Sequence, residues 1–240
     1  MCKICNNTGW IVDENNVAVP CKCRANRILN NRIKFASIPE AFKDIRLSTF
    51  SLSYYSDKAT INEVVQTVKY YLNNLDEMKL EGVGLYLYST TKGSGKTRLA
   101  TSLANELIYE HDMGVRFATS LDIIQEIKST WNKSEETYSE SKLIHYLTTV
   151  EVLVIDDFGT EVHKDWIDDK FYQIINKRYI DKLITIFTSN YALSELEYDS
   201  RITNRIKERV YQVHFPEESL RDSIAVARQV KMLKEIGGET

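Results

Sequence analysis

The chain has 240 residues, of which 43% are hydrophobic and 27% charged, and its formal net charge is −3. This length suits one substantial α/β domain with a small additional module, and the composition is typical of a soluble globular protein. The small net charge excludes a polycation, so any nucleic-acid binding must rely on local basic patches. The sequence contains no apolar run long enough for a membrane span and no signal-peptide core at its N-terminus, and we therefore expect a cytoplasmic protein without membrane contacts.

The four cysteines all lie within the first 23 residues, as Cys2-x2-Cys5 followed by Cys21-x-Cys23. Two close cysteine pairs separated by about one hairpin can place four sulfurs around a tetrahedral Zn²⁺. Disulfides and unrelated free thiols are the alternatives. A reducing cytosol disfavours the first, and the absence of cysteine from residue 24 onwards disfavours the second. We predict a zinc-binding module at residues 1–25 that folds on its metal and serves docking rather than catalysis.

Residues 26–47 form a basic linker that begins as a helix and turns at Ile38-Pro39. Its surplus of positive charge is equally compatible with a solvated helix face and with a contact role. The main domain is predicted to span residues 48–240, and it opens with a helical pattern over residues 57–77.

The stretch YSTTKGSGKTRLA, residues 88–100, contains most of the phosphate-loop pattern G-x-x-x-x-G-K-[ST]. Gly93 and Gly95, with Ser94 between them, allow the backbone to bend so that its N–H groups converge on phosphates. Lys96 supplies a mobile positive charge, and the Thr97 hydroxyl can bind Mg²⁺. We therefore predict a nucleotide site that uses all five residues.

The surroundings of the loop favour this interpretation over a chance G-S-G-K-T in a turn. A β-rich apolar run precedes it at residues 84–89, and an amphipathic helix pattern begins after Lys96. The N-terminus of that helix would face a bound anion. Thr90 occupies the position of the first glycine of the pattern, where the chain leaves the strand and positive φ is less needed.

A second motif, VEVLVIDDFGTE at residues 150–161, is an apolar run that ends in two carboxylates. A buried parallel strand presents side chains at its C-terminal end, beside the phosphate loop. We expect Asp156 to hold the Mg²⁺ shell and Asp157 to orient or activate water. The alternative is that two aspartates simply end a strand, and the phosphate loop makes this alternative weaker.

The remaining elements alternate between strands and helices. Strands are predicted at residues 114–119 and 183–190, and helices at residues 120–131, with Ser120 as the cap, and at 140–149. This order predicts an α/β protein with a mostly parallel central sheet flanked by helices.

Polar residues near the end of the chain are further candidates. Asn190 ends its strand and could report the γ-phosphate, although asparagine often only ends strands. Arg201 and Arg205 lie one helical turn apart, and Arg221 lies near the start of a final helix. Arginine can contact a γ-phosphate through planar, charge-assisted hydrogen bonds, and a surface position is the alternative for each.

These motifs together resemble the bacterial and phage helicase-loader family, the AAA+ branch that contains DnaC and DnaI, with the transposition ATPase IstB nearby. The resemblance rests on the cysteines, GSGKT, VLVIDDFGTE, TSN, RITNRI and ESLR, and it extends from the N-terminus to Arg221. It implies an AAA+ core, ATP and Mg²⁺ as ligands, and a slow, partner-stimulated ATPase.

The resemblance also assigns roles to single residues. Asn190 would be sensor 1, Arg205 an arginine finger that completes a neighbour's site, and Arg221 sensor 2. Residues 120–149 match the place where initiator-type members insert an extra helix toward DNA. Asp157 stands where many AAA+ proteins have the longer glutamate, and this difference predicts slow hydrolysis without loss of ATP binding.

The implied function is the placement of a hexameric replicative helicase on single-stranded DNA by a homo-oligomeric loader. The cysteine module and the basic linker would bind the helicase. A transposition ATPase that acts on duplex DNA is one alternative, and a nucleotide-binding adaptor or inhibitor without appreciable hydrolysis is another. A small-molecule kinase is disfavoured, because it would need neither a trans arginine nor a cysteine module.

Overall fold

The computed structural model describes residues 2–131, 139–162 and 164–237. The strands are β1 (Trp10–Val12), β2 (Ala18–Pro20), β3 (Gly84–Tyr88), β4 (Val115–Thr119), β5 (Val152–Asp156), β6 (Ile184–Ser189) and β7 (Val210–His214). The α-helices are α1 (Cys23–Ala36), α2 (Lys58–Asn73), α3 (Leu75–Glu81), α4 (Lys96–Tyr109), α5 (Ser120–Trp131), α6 (Glu140–Thr149), α7 (Asp165–Ile180), α8 (Ser200–Glu208) and α9 (Leu220–Gly237). Short 3₁₀ helices lie at Glu40–Phe42, Leu47–Thr49 and Leu193–Glu195.

The main sheet has five parallel strands in the order β4-β5-β6-β3-β7. Each residue of β5 (VLVID) and of β6 (ITIFTS) is buried, as expected for interior strands of a parallel sheet that helices cover on both faces. The carboxyl ends of all five strands meet at one edge of the sheet. The phosphate loop after β3, the aspartates at the end of β5 and Asn190 after β6 are therefore brought to the same edge. The predicted α/β fold with a parallel central sheet is confirmed.

A hydrophobic core lies on each face of the sheet. On one face, α1, α2 and α4 contribute side chains such as Ala36, Tyr71 and Leu103. On the other face, α5 to α8 contribute side chains such as Leu147 and Ile174. Burying a large apolar side chain contributes about 1.5–3 kcal/mol relative to leaving it exposed, so these two layers fix the sheet. Among the helices of the described residues, none is both long and apolar enough to cross a membrane.

The N-terminal hairpin pairs β1 with β2 in antiparallel register and leads directly into α1. The last turn of α1 is packed on the main domain, because Ala36 is fully buried in its core. The side-chain amide of Asn105 on α4 donates to the carbonyls of Phe42 (2.9 Å) and Ile45 (2.8 Å). Residues 26–47 thus lie against the main domain over much of their length, and the domain boundaries at residues 25 and 47 remain predictions.

The helix at residues 120–131 is present, but its cap is not Ser120. Thr119 and Asp122 form a reciprocal capping pair: the Asp122 N–H donates to Thr119 Oγ1 (3.0 Å) and the Thr119 N–H donates to Asp122 Oδ2 (3.2 Å). The Ser120 hydroxyl is buried and donates to Glu161 Oε2 (2.7 Å). The cap therefore lies one residue earlier than predicted, because tertiary contacts occupy the serine. The connection to α6, residues 132–138, lies outside the described residues.

Arg178 on α7 is buried, with 1% of its surface exposed, and joins α6, β5 and β6. Its Nε donates to Thr185 Oγ1 (2.9 Å), and its terminal nitrogens donate to the carbonyls of Leu147 (2.9 Å), Val150 (2.8 Å) and Ile184 (2.6 Å). One guanidinium group thus donates to several buried backbone carbonyls between α6, the start of β5 and the start of β6.

We expect Arg178→Met to lower the free energy of unfolding by about 3 kcal/mol or more, because it leaves several buried carbonyls without donors. Urea denaturation measures the change. Lys177→Met is the matched control: Lys177 is the preceding residue, its side chain is 54% exposed, and its replacement should cost no more than about 0.5 kcal/mol. Equal losses in both variants would contradict the role assigned to Arg178.

Candidate nucleotide site and cysteine cluster

The phosphate loop connects β3 to α4 and depends on two glycines with positive φ, +84° at Gly93 and +100° at Gly95. A Cβ at Gly95 would lie 2.4 Å from the hydroxyl of Tyr55, so a larger residue would have to displace Tyr55 and adopt an unfavourable φ. Tyr55 is buried and donates to the Ser94 carbonyl (2.8 Å). The segment that precedes α2 therefore holds the phosphate loop through the hydrogen bond from Tyr55.

A cavity of about 420 Å³ opens beside this loop at the carboxyl edge of the sheet. It brings together most of the residues that the sequence singles out: Gly93, Ser94, Gly95, Lys96, Thr97, Asp157, Asn190 and Arg221. Apolar side chains from the N-terminal segment and from α9 complete the wall: Phe42, Leu220 and Ile224. A pocket with convergent polar groups and a partly apolar wall suits a nucleotide, whose phosphates and base need different surroundings.

Lys96 is buried at the base of the loop, with 5% of its surface exposed. Its Nζ donates to the carbonyls of Ser89 (3.1 Å) and Thr91 (3.2 Å) and to Ser94 Oγ (3.2 Å). Burial lowers the pKa of Lys96, and the charge of the nearby Asp157 opposes this shift. The ammonium group is thus placed by three neutral oxygen acceptors among the described residues.

Asp156 ends β5 and faces the first turn of α4. The Thr97 hydroxyl donates to its Oδ1 (2.9 Å), and the Thr188 hydroxyl donates to the same oxygen (2.6 Å). Burial raises the pKa of Asp156, and the charge of Asp157 raises it further, whereas the two threonine hydrogen bonds lower it. A buried carboxylate beside a threonine hydroxyl is a donor set that Mg²⁺ accepts.

Asp157 has a left-handed backbone conformation, with φ of +54°. Its N–H donates to Thr188 Oγ1 (3.0 Å), and its carbonyl accepts from the hydroxyls of Ser120 (3.1 Å) and Thr160 (2.8 Å). Such a backbone costs a non-glycine residue about 1–2 kcal/mol, so these contacts must hold it in place. The result is an exposed carboxylate that lines the cavity.

Thr90 is integrated into the loop rather than merely tolerated there. Its N–H donates to Glu217 Oε1 (3.0 Å), and its hydroxyl donates to Glu217 Oε2 (2.7 Å). The Thr91 N–H also donates to Oε2 (2.8 Å), as does the Ser89 hydroxyl (3.0 Å). Sequence reasoning missed Glu217, although two consecutive glutamates shortly before Arg221 were a visible signal.

The segment before α9 makes further contacts around the loop. The Leu220 N–H donates to the Gly93 carbonyl (3.0 Å). The Glu218 carboxylate accepts from the N–H groups of Ser56 (2.9 Å) and Asp57 (3.1 Å), next to Tyr55. The starts of α2 and α9 are thus joined to each other and to the phosphate loop.

Arg205 and Arg201, two of the three arginines that the sequence singles out, lie apart from the cavity. On α8, the Arg205 Nε donates to Asn176 Oδ1 (2.6 Å) and one terminal nitrogen donates to the Arg201 carbonyl (3.0 Å). Its guanidinium also lies over the rings of Tyr172 (5.2 Å) and Tyr179 (5.6 Å). The cavity of the same chain therefore receives Arg221 but not Arg205.

The four cysteines converge, and their sulfurs lie within 4.8 Å of one another. Four sulfurs at about 2.3 Å from a tetrahedral Zn²⁺ would be roughly 3.8 Å apart, so the cluster matches the size of such a site. Cys5 and Cys21 are buried, and the Gly9 N–H donates to Cys5 Sγ (3.4 Å). The turn between Cys5 and β1 thus supplies a backbone donor to a sulfur, as expected around a metal-bound thiolate.

The proximity of the sulfurs separates their pKa values. Burial raises the pKa of Cys5, but hydrogen bonds from Cys23 and from the Gly9 N–H lower it more strongly, to about 6. The pKa of Cys23 is raised to about 12, chiefly by its hydrogen bond with Cys5 and by burial. One thiolate is thus stabilised by a neighbouring thiol, and a cation at the centre would favour deprotonation of all four.

Several known proteins are similar to this chain. The sequence profile of the family described as IstB-like ATP binding protein matches residues 10–221. The replicative helicase loader DnaI of Bacillus subtilis strain 168 is 28% identical over 188 residues, which are 77% of this chain and 58% of that protein. The replicative helicase loader DnaC of Buchnera aphidicola subsp. Baizongia pistaciae is 27% identical over 146 residues, 61% of this chain and 55% of that protein.

Solved structures agree on the fold. The crystal structure of the DnaC helicase loader superposes with a TM-score of 0.59 at 24% identity, covering 74% of this chain and 99% of the other. The chain spans somewhat more than half the length of the curated relatives that it matches. The family profile covers most of the chain, including the phosphate loop, both aspartates, Asn190 and Arg221. The chain therefore belongs to the family of IstB-like ATP-binding proteins, with the P-loop fold of AAA+ domains.

Proposed function

We propose that this protein is an ATP-dependent loader that binds a hexameric replicative helicase and helps to place it on single-stranded DNA. The single observation that carries the proposal is the cavity at the carboxyl edge, which joins the phosphate loop to Asp157, Asn190 and Arg221 and excludes Arg205. Its similarity to proteins named replicative helicase loaders supports the choice of partner.

In this proposal the cavity holds ATP with Mg²⁺. The N–H groups of residues 93–97 and the Lys96 ammonium bind the phosphates, and Thr97 with Asp156 holds the ion, which supplies charge neutralisation at the phosphates. Asp157 orients the attacking water, Asn190 contacts the γ-phosphate, and Arg221 binds the phosphates from α9. Because an aspartate reaches less far than a glutamate, hydrolysis is slow and depends on partners.

Arg205 acts on a neighbouring subunit in a head-to-tail homo-oligomer. Its absence from the cavity of its own chain supports this role, because a finger that works in trans must leave its own site. The two tyrosine rings and Asn176 hold its guanidinium in a fixed position on α8. ATP then lies between subunits and holds the assembly together, and hydrolysis of the ATP releases the subunits.

The cysteine cluster binds Zn²⁺ and makes residues 1–25 a docking module for the helicase. The basic linker, residues 26–47, contributes to this contact. Exposed apolar side chains on this module support a protein-binding role: Ile4, Trp10, Val12 and Val17. The main domain faces single-stranded DNA.

The family match favours a second candidate, a transposition ATPase of the IstB type that acts on duplex DNA. Both candidates need ATP, so the partners decide between them. Capture of a hexameric helicase by the full chain, lost on deletion of residues 1–25, supports the loader, and this deletion leaves Ala36 and Phe42 in place. ATP-dependent preference for duplex over single-stranded DNA supports the transposition protein instead.

We expect Asp156→Asn to raise the melting temperature at pH 7 by a few degrees while abolishing Mg²⁺-dependent turnover. The pKa of Asp156 is raised in the folded protein, which means that folding favours the protonated carboxyl group over the charged one. Protonation therefore adds to the free energy of unfolding at low pH, and this contribution is lost as pH rises through the folded-state pKa. The neutral amide removes this loss. Calorimetry at pH 7 and pH 4 measures the difference, which should shrink at the lower pH. A variant that is less stable at pH 7 would contradict this account.

We expect the purified protein to carry about one Zn²⁺ per chain. Replacing Cys21 and Cys23 with serine should release the metal and abolish helicase binding, whereas ATP binding should persist because the cavity is built by the main domain. Metal analysis, helicase pull-down and a fluorescent-nucleotide titration test the three parts. Metal-free protein that binds the helicase normally would reject both the zinc site and its docking role.

Arg205→Ala and Asp157→Asn should each bind ATP but lose nearly all turnover, by orders of magnitude for the arginine. Mixing the two inactive proteins should restore activity with helicase and single-stranded DNA present. An interface works when an Arg205→Ala subunit owns the site and an Asp157→Asn subunit donates its arginine. Random equal mixing gives about one quarter of interfaces that arrangement.

Arg201→Ala is the matched control for this experiment, because Arg201 lies one turn away and is held by Asp199 in an exposed ion pair. It should retain turnover close to that of the wild type. Mutants that co-assemble but stay inactive in the mixture, beside an active wild type, would show that Arg205 does not act in trans.

A further inference from the structure

The phosphate loop departs from its usual pattern at Thr90, and the structure shows what accompanies this departure. The Glu217 carboxylate accepts two hydrogen bonds from Thr90 and others from the Thr91 N–H and the Ser89 hydroxyl. It also lies 3.0 Å from His214 Nε2. These groups occupy the two carboxylate oxygens, although the side chain is 38% exposed.

These contacts fall on residues 89–91, whereas the part of the loop that lines the cavity begins at Lys92. The nucleotide would use the N–H groups of residues 93–97, whereas Glu217 binds the N–H groups of Thr90 and Thr91. The Lys96 ammonium connects the two parts, because it donates to the carbonyls of Ser89 and Thr91. A shift of residues 89–91 would therefore move the acceptors that place this lysine.

Glu217 also lies close to α9, the helix that brings Arg221 to the cavity. Between them, the Leu220 N–H donates to the Gly93 carbonyl (3.0 Å). The start of the loop and its central Gly93 are thus both hydrogen-bonded to one short segment, residues 217–221. Burial alone would raise the pKa of Glu217, but the hydrogen bonds from Thr90 and His214 lower it well below its usual range, so the carboxylate is charged at neutral pH.

We propose that Glu217 is a positioning residue for nucleotide binding, which together with Thr90 fixes the start of the phosphate loop and links it to α9. Thr90 and Glu217 replace the first glycine of the pattern by a bonded pair. The inference rests on the proposed function for its nucleotide, but the hydrogen bonds that carry it are properties of the chain alone.

The first measurement needs no nucleotide. Hydrogen–deuterium exchange of the Thr90 and Thr91 amides should be about fivefold faster or more in Glu217→Gln than in the wild type, because the glutamine NH₂ cannot accept the hydrogen bonds that one carboxylate oxygen accepts and the neutral side chain accepts the others more weakly. Glu151→Gln is the matched control: Glu151 accepts from the Gly114 N–H at the opposite edge of the sheet, so only the exchange at Gly114 should change.

The second measurement is the affinity for a fluorescent ATP analogue with Mg²⁺. Glu217→Gln should weaken binding about fivefold, and Thr90→Val should weaken it to a similar extent because it lacks the hydroxyl. Thr90→Ser, which keeps the hydroxyl, should bind like the wild type, and so should Glu151→Gln. The Thr90→Val, Glu217→Gln double variant should be little worse than either single variant, because the two side chains act as one pair.

Unchanged exchange at residues 90 and 91 in Glu217→Gln, or unchanged affinity in that variant, would overturn the inference. Additive losses in the double variant would reject the pairing of Glu217 with Thr90. A wild type that binds no nucleotide would instead reject the proposed function, and the exchange measurement would still decide whether Glu217 holds the loop.

Discussion

The site depends on one constraint: the five strands of the main sheet run parallel, and so all of them end at one edge. The strands that carry the chemistry are adjacent, with β6 between β3 and β5. The phosphate loop, Asp156 and Asn190 are far apart in the chain, yet each follows a strand end and is placed beside the others. The buried apolar faces of the strands hold this register, because a slip by one residue would turn buried side chains outward.

The polar groups at this edge are arranged at a cost in stability. Asp156 is buried beside a second carboxylate, the buried Lys96 donates to neutral oxygens, and Asp157 has a left-handed backbone. A ligand of opposite charge would stabilise a buried carboxylate or a buried ammonium group. Buried charges and strained backbone are both common at functional sites. The hydrophobic cores on both faces of the sheet offset this cost. So do the hydrogen bonds of Arg178 near the starts of β5 and β6, at the edge opposite the site.

The elements outside the sheet are joined to the phosphate loop by hydrogen bonds. Tyr55 and Glu218 connect the start of α2 to the loop and to the segment before α9, and Glu217 connects that segment to Thr90. Arg221 on α9 reaches the cavity of its own chain, whereas Arg205 on α8 remains outside it. Under the proposed function, a neighbouring subunit would supply Arg205 to complete the site.

The sequence by itself determined the parts whose signals are local. Glycines that need positive φ, a lysine and a threonine at fixed spacing, and apolar runs that end in Asp156 and Asn190 identify the phosphate loop and the strands, because chain geometry dictates those residue types. The close spacing of the cysteines likewise predicted their convergence. Only the tertiary structure decided which distant groups meet: Glu217 with Thr90, Tyr55 with the Ser94 carbonyl, and Arg178 with the carbonyls of three segments. It also moved the cap of α5 from Ser120 to Thr119, because a buried contact with Glu161 claims the serine. Such pairings join residues that are far apart in the sequence and depend on how the helices pack against the sheet. The spacing of residues along the chain does not predict that packing.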